Sequence, residues 1–571
     1  MLEKCEHMRP GRFAYTVLAL FALLTTSLTA QPVRGIGDDA LTAPRGAIRM
    51  QLSTSITDFS QRYGKGTPGR ADGALEPLGV DFTTDTLGVA LFPGLGPLQS
   101  ALRTLTGNNA FTLNLGRSSL SSSVRTQTTP ILLEAGITNR LSLSVLVPIV
   151  SARRQSGLNL NPLGVGGNVS FNPVRIATTS EAAVATNVTL VTQLNAARDQ
   201  LAAQLASCNA NPGSNPNCPS VIATAPSITA NATAFAQGIT QIYGTTVASS
   251  TAARFVPYAT SGADSAIRNR VTTFRTQFQQ FGITALAAGT LGPARAVAAM
   301  TPDGFQRAIG DSSLGLQAQP LNTVTRQGLG DVEVAVKLRL FDSFGMRSDT
   351  MRFLPKGMNL RQSFGAAYRL GTGEIDSPSN YLDLETGGGQ NDIEARSFTD
   401  IIYGKRFFTS VIARYAIQLA DQQLLRITDQ PEQVFAQQWR ERLVDRNLGD
   451  QLEIEVTPRL VLGDFFSVGA QYLFRRKAED TYAGTFSVPA SESGLGAPMT
   501  LDASTLRDET AATEQRIGVG LTFSTLAAHR RGKAKLPIEL QYFNSRTISG
   551  SGGNVPKLSI HQVQIRLYPR R

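Results

Sequence analysis

The chain has 571 residues, 42% of them hydrophobic and 17% charged, with a formal net charge of +11. Beyond the N-terminal region no stretch carries 18 consecutive apolar residues, which excludes helical membrane spans. A mean hydropathy of −0.07 suits a soluble protein, and suits equally a barrel whose strands turn half their side chains to a polar lumen.

Lys4, Arg9 and Arg12 form a basic start, Phe13 to Leu28 is an apolar run, and Ser27-Leu28-Thr29-Ala30 offers a cut after Ala30. Residues 1–30 therefore read as a cleaved signal peptide, with Leu28 departing from the small-x-small ideal. Cys5 precedes the apolar run, so a lipoprotein anchor is not indicated.

The mature chain opens on segments in which apolar and polar residues alternate. Ala47 to Phe59 places Ile48, Met50, Leu52 and Ile56 on one face and Arg49, Gln51, Ser53 and Ser55 on the other. Residues 60–120 are rich in Gly, Pro and Thr and read as a long connection, with a short strand candidate at 111–115. A second wall strand at 121–135 is expected to turn Arg125, Gln127 and Thr129 inward. The turn 136–140 leads to Leu141, Leu143, Val145, Val147 and Ile149 on one face, with Pro148 near the strand end.

From 152 to 327 the alternation stops. Val184, Val188, Val191, Leu194, Leu201 and Leu205 recur at helical steps over 181–206, and further helices are expected at 228–243 and at 262–281, the latter with Ile267, Val271, Phe274 and Phe278 in register. Cys208 and Cys218 bracket a Pro/Asn/Gly/Ser-rich stretch in an exported chain and read as a disulfide. Large apolar residues are sparse here, so a small stapled insert is expected in the connection between the fourth and fifth strands, acting as a cap or a plug.

Alternation resumes at Val332–Leu340, with Val332, Val334, Val336, Leu338 and Leu340 on one face and Glu333, Lys337 and Arg339 on the other. Strands follow at about 330–341, 357–370, 392–403, 407–419, 451–461, 465–475, 514–524, 535–545 and 557–568. The connections at 404–406 and 462–464 are very short, whereas those at 371–391, 420–450 and 476–513 are long. That asymmetry is the habit of a bacterial barrel with short periplasmic turns. The fold class is thus all-β: an antiparallel transmembrane β-barrel of about 12 strands, with 10 or 14 as alternatives and both termini on the short-turn side. Its parts are strands and a long loop at 31–151, the insert at 152–327 and the remaining strands at 328–571. Aromatic residues cluster toward strand ends, as at Tyr403, Phe407, Phe408, Phe465, Phe466, Tyr472, Phe474 and Tyr568, where rings at a membrane interface are expected.

The inward face is expected to present Arg49, Arg125, Glu333, Lys337, Arg339, Arg361, Arg369, Glu394, Arg396, Asp400, Arg414, Glu453, Glu455, Arg459, Glu514, Arg516, Glu539 and Arg566. These charges either select a solute or brace the wall by neutralising one another, and the arginine excess implies a positive lumen. Export argues against nucleic acid as the partner of the basic surplus; outer-membrane lipid and lipopolysaccharide fit it better. Only His529 and His561 remain for nucleophilic catalysis, and neither lies in a catalytic motif, so no enzyme is expected. Glu374, Asp376, Asp383, Glu385 and Asp392 gather in a glycine-rich loop without the spacing of a calcium loop, so no metal and no cofactor are expected.

The turn and strand Gly136-Ile137-Thr138-Asn139-Arg140-Leu141-Ser142-Leu143 through Val147-Pro148, with Gly328-Leu329-Gly330-Asp331-Val332 later, resembles the outer-membrane proteins grouped with the meta-pathway of phenol degradation. That group is similar in general design to the long-chain fatty-acid transporter family. The resemblance covers 121–151 and 328–568. It implies passive uptake of small hydrophobic or aromatic solutes across an outer membrane; the barrel is expected to be a monomer in the bacterial outer membrane, with Asp331 capping the rim. Three departures stand out: the large insert, an N-terminus at 31–45 too short for a plug, and an end at Tyr568-Pro569-Arg570-Arg571 in place of a terminal aromatic residue. The alternatives are a non-transporting display barrel whose insert is an interaction module, and a secreted β-sandwich.

Overall fold

The computed structural model describes residues 37–568 apart from 66–70, 162–165, 248, 250, 344–356, 405, 431–432, 495 and 531. The signal peptide and the last three residues lie outside the described residues. Twelve long strands close into a barrel: β1 (Ile48–Phe59), β2 (Ser118–Gly136), β3 (Leu141–Leu160), β4 (Val332–Asp342), β5 (Met358–Leu370), β6 (Asp392–Tyr403), β7 (Phe407–Gln418), β8 (Gln451–Leu462), β9 (Phe466–Lys477), β10 (Ala512–Ser524), β11 (Ile538–Ser551) and β12 (Ser559–Leu567). Each pairs antiparallel with its neighbours in sequence, and β1 closes on β12 from Met50 opposite Leu567 to Asp58 opposite Ser559. Closure removes the sheet edges, so every ladder position finds a partner within the wall, as lipid requires.

Alternation gives the wall its two faces. Outward positions are mostly apolar and uncovered by protein, among them Leu133, Leu143, Leu338, Ile393, Ile417, Val519, Leu521 and Ile565; Gln362, Ser397 and Thr399 on β5 and β6 are polar and bond one another. Rings mark the borders of this belt: Phe341, Tyr403, Phe407, Phe465, Phe466 and Phe523 on the short-turn side, Tyr368, Tyr415 and Tyr472 toward the other. Two rings expected there lie elsewhere. Phe408 faces inward, 5.0 Å below the Arg459 guanidinium, and Tyr568 is buried with its hydroxyl on Glu539.

The candidate at 111–115 forms no wall strand, only an isolated bridge at Asn114, so the insert falls between the third and fourth barrel strands. It is also shorter than expected. β3 runs on to Leu160 because it pairs throughout with β2, Ser118 opposite Leu160 at the far end, and with the short strand Val324–Leu329.

Above the long-loop end stand α1 (Gly96–Thr106), α2 (Ser180–Ala210), α3 (Cys218–Tyr243), α4 (Gly262–Gln279) and α5 (Pro302–Gly310). The Cys208–Cys218 disulfide joins the last turn of α2 to the first residue of α3. On α2 the buried stripe is Ala183, Asn187, Leu190, Leu194, Ala197 and Leu201, rotated from the expected valine face, and Val188 is exposed. Asn187 explains the rotation: its amide donates to the Gly244 carbonyl at 2.8 Å and accepts from Ala294 N–H at 2.8 Å, closing the top of the hairpin. Ile267, Val271, Phe274 and Phe278 of α4 are buried as expected.

The insert does not build its core alone. One continuous cluster joins it to Phe82, Leu87, Phe92, Leu95, Leu102 and Leu105 of the β1–β2 connection, to Leu382 of the β5–β6 loop and to Phe435 of the β7–β8 loop. We call this assembly the head. Replacing both cysteines by serine should cost the α2–α3 hairpin about 3 kcal/mol through loop entropy regained by the unfolded chain. Thermal melts should show the head unfolding earlier while the heat-modifiable gel migration of the barrel stays unchanged.

Candidate functional site

The inward face carries several clusters of ion pairs. Glu453 of β8 accepts from Arg414 at 2.5 Å and from Arg475 at 2.7 Å, and Arg414 also reaches Glu455 at 3.1 Å. Arg396 bonds Glu333 at 2.6 Å and also Glu394; Arg369 spans Asp392 at 2.6 Å, Glu333 at 3.4 Å and Glu394 at 3.4 Å. Arg516 pairs with Glu514 at 2.9 Å, and Arg566 approaches Glu539 at 3.9 Å. Nearer the short turns Arg361 links Asp342 at 3.2 Å and Asp400 at 3.4 Å, Arg339 joins Asp342 at 3.2 Å, Arg459 is buried over Phe408, and Arg49 pairs with Glu134. In a protein-enclosed lumen such contacts neutralise charge that would otherwise be costly to bury.

Arg125 is a correction. It faces outside, its side chain 71% exposed, and bonds Asp58 at 2.6 Å. The phase of β2 is set by Leu132 and Glu134, which line the lumen, so every odd position from Leu133 back to Arg125 is outward. The same shift brings in Glu134. With Asp342 and Asp392 also inward, the expected arginine excess disappears and the lumen is close to balanced.

The N-terminus is a second correction. Residues 37–46 fold back from the short-turn rim into the barrel and act as a strap. Gly46 N–H donates to the Gly136 carbonyl at 2.7 Å. Ala43 N–H donates to Glu134 at 3.0 Å, Ala40 N–H to the Asp400 carboxylate at 3.1 Å, and the Ser363 hydroxyl to the Ala40 carbonyl at 2.6 Å. Lys337 Nζ donates to Asp38 at 3.0 Å and to the Asp39 carbonyl at 2.9 Å, and sits 3.8 Å over the Phe398 ring. Ala40 is fully buried between Phe398 and Ile412. A segment of this length was expected to be too short to plug the barrel; residues 37–46 nevertheless enter the lumen and bond β2, β4, β5 and β6 there.

Beyond the strap two hollows remain. The first, about 310 Å³, is lined by Lys337, Arg396, Arg414 and Glu455 on strands β4 and β6–β8, and by Gln51, Leu132, Leu146, Gln541, Phe543, Gln562 and Gln564 on β1–β3, β11 and β12, where Arg49, Glu134 and Arg566 also border it. The second, about 370 Å³, lies toward the head between Arg369, Glu394, Gln451, Glu453 and Arg475. Arg396 and Arg414 border both. No described residue of the insert lines either hollow.

At the rim, Asp331 accepts the backbone N–H groups of Gly373 and Gly388, each at 2.8 Å, and so pins the β5–β6 loop to the start of β4. In that loop Glu374 and Asp383 pair with Arg326, at 3.2 and 2.6 Å. Among the described residues no group of His, Cys, Asp or Glu converges as a metal cage. Burial pushes the Asp376 and Glu385 carboxyls above the usual range, and their mutual repulsion adds to it for Glu385. The folded loop therefore favours their neutral forms. That contribution is present below the ordinary carboxylate range and is lost as pH rises through the raised values. Amide exchange across 371–391, corrected for intrinsic rates, should slow as pH is lowered from neutral; unchanged protection would count against it.

The two histidines are engaged structurally. His529 Nδ1 meets the Ala534 carbonyl at 2.7 Å within the β10–β11 turn, and His561 faces outward against the Tyr542 hydroxyl at 2.9 Å.

A closed antiparallel meander with an uncovered apolar belt, ring borders and a charged interior has one known setting. The chain is an outer-membrane β-barrel. No family model and no curated protein matches it. Among solved structures it is similar to an outer-membrane channel from Pseudomonas putida F1, at 7% identity and a TM-score of 0.39 over 94% of this chain and 100% of the other. It is also similar to a Pseudomonas aeruginosa FadL homologue, at 7% and 0.27 over 96% and 99%. A third likeness is to the transport unit of the autotransporter AIDA-I from Escherichia coli, at 6% and 0.27 over 98% and 99%.

Proposed function

We propose that the chain is a passive outer-membrane channel for small solutes, hydrophobic or aromatic molecules carrying a polar group, closed at rest by its strap and capped by its head. The observation that carries this reading is the mixed lining of the first hollow. Leu132, Leu146 and Phe543 offer an apolar surface, the glutamines offer amides, and Arg49, Arg396, Arg414 and Arg566 offer guanidinium groups. Its 310 Å³ exceeds the roughly 150 Å³ that suffices for benzene in an apolar protein cavity. One substituted ring fits, with its ring on Phe543 and its polar group toward the arginines. The ion pairs around it brace the wall and leave Arg396 and Arg414 as the constriction between the two hollows.

Uptake into proteoliposomes tests this. Phenol and benzoate should enter faster than arabinose of similar size, and Phe543→Ser should narrow that preference by roughly tenfold, the discrimination that one apolar contact supplies. Equal rates for all three would remove the solute assignment. No uptake of any solute, with or without the strap, would favour the display barrel, in which the head is an interaction module on an inert wall.

A further inference from the structure

At Ser60 the chain leaves β1 and turns into the short strand Gln61–Tyr63, which pairs with Val555–Pro556, while β2 and β3 continue upward to Ser118 and Leu160. The divergence opens a hollow of about 460 Å³ on the outside of the wall, bordered by Asp58, Gln61, Arg125, Arg153, Gln155 and Lys557. Asp58 stands opposite Arg125, and Arg125 opposite Arg153, all on the outward face. The row continues the other way through Ser559 to Arg546.

Asp58 is committed to Arg125 Nε at 2.6 Å, and Lys557 Nζ contacts only the neutral Gln61 amide oxygen, at 3.3 Å, among the described bonds. Arg153, Lys557 and Arg546 have no acidic partner among the described residues, so the row carries a net positive charge. Two arginines directly opposite one another on one face repel and destabilise the pairing. A phosphate between them would turn that repulsion into two charge-assisted, forked contacts.

Directly below the row on the same face lie Leu52, Ile56, Leu133, Ile149, Val145 and Ile565, the lipid-facing belt. The hollow thus stands where a headgroup ends and its acyl chains begin, on the long-loop side. We infer that this hollow binds the phosphate of an acylated glycolipid of the lipid A type, whose chains lie along the belt beneath it. Arg546, two strands from Asp58, provides a second cationic end, which suits a headgroup with two phosphates better than a phospholipid with one.

The test is binding of bisphosphorylated lipid A to the full-length protein in detergent, read by native mass spectrometry. Arg125→Ala/Arg153→Ala should weaken binding by at least about tenfold, or 1.4 kcal/mol, and lipid A stripped of phosphate should bind the parent and the variant alike. Arg125→Lys/Arg153→Lys should retain part of the affinity, since charge remains and the fork is lost. Should the double variant misassemble by heat-modifiable migration, Arg153→Gln alone, which breaks no described ion pair, serves instead, with the same direction expected. Undiminished lipid A binding by the folded variant overturns the assignment. Equal occupancy by inorganic phosphate or by phosphatidylglycerol overturns it in favour of a general anion site.

Discussion

Deleting residues 37–44 should raise the single-channel conductance of the reconstituted barrel by roughly tenfold or more, because a constriction filled by chain becomes one lined by side chains. The strap is held by donors and acceptors that keep other partners when it leaves. Glu134 retains Arg49, Asp400 retains Arg361 and the Ser410 hydroxyl, and Lys337 remains over the Phe398 ring. The wall should accordingly survive the deletion, with unchanged strand content by circular dichroism. A graded version is Lys337→Met, which removes the contacts to Asp38 and the Asp39 carbonyl. Charge-assisted bonds of this kind contribute about 1.5–3 kcal/mol each, enough to lengthen open dwell times by an order of magnitude. If the deletion leaves conductance unchanged, the ion pairs across the lumen close it, and the strap is packing alone.

The second large effect is expected at Phe435. It is 2% exposed and brings together rings from separate connections: Phe82 at 5.7 Å and Phe92 at 5.5 Å, Phe305 of α5 at 5.9 Å, and Tyr381 at 5.9 Å. Phe435→Ala removes the shared member and leaves a cavity that loops anchored at both ends collapse into poorly, at a cost of about 3–5 kcal/mol. The single tryptophan, Trp439, lies four residues away beside the Arg440 guanidinium, at 4.8 Å, and packs on the neighbouring cluster of Ile427, Val444, Val488, Leu501 and Ala503, so its fluorescence reads whether the loss spreads to that cluster. Burial holds the Tyr381 phenol up to about 12, so in the variant its titration should fall back toward the ordinary tyrosine value. An unshifted fluorescence midpoint would show that the loops pack independently.

Much of the barrel was legible because lipid imposes a strict rule. Most positions facing the belt are apolar at every second residue, Gln362, Ser397 and Thr399 of β5 and β6 being exceptions that bond one another, and all the proposed lumen charges except Arg125 follow from that parity. Arg125 failed for a physical reason. Upper β2 rises past the acyl chains, its outward positions meet the polar headgroup layer and water, and there polarity no longer separates inside from outside; only Ile131 and Leu133, lower on the same strand, carry its true phase. The strap was illegible because Gly37–Pro44 has no period and its contacts are distant, as with Asp38 and Lys337. For the head, the clue was a deficit. An insert rich in Ala and Thr cannot fill a core by itself, and the missing volume was Phe82, Phe92, Leu102 and Phe435 in segments read as plain connections.

That shared core also dictates an order of assembly. Phe82, Phe305, Tyr381 and Phe435 lie on connections far apart in the chain, and closing such distant contacts is slow until something gathers the ends. The wall does the gathering: only when β1 meets β12 are the loop stems fixed in place. The disulfide-closed pair of helices can form early, being local, whereas the rest of the head packs only once its loop stems are in place. A ligand or antibody specific for the folded head would therefore count completed barrels.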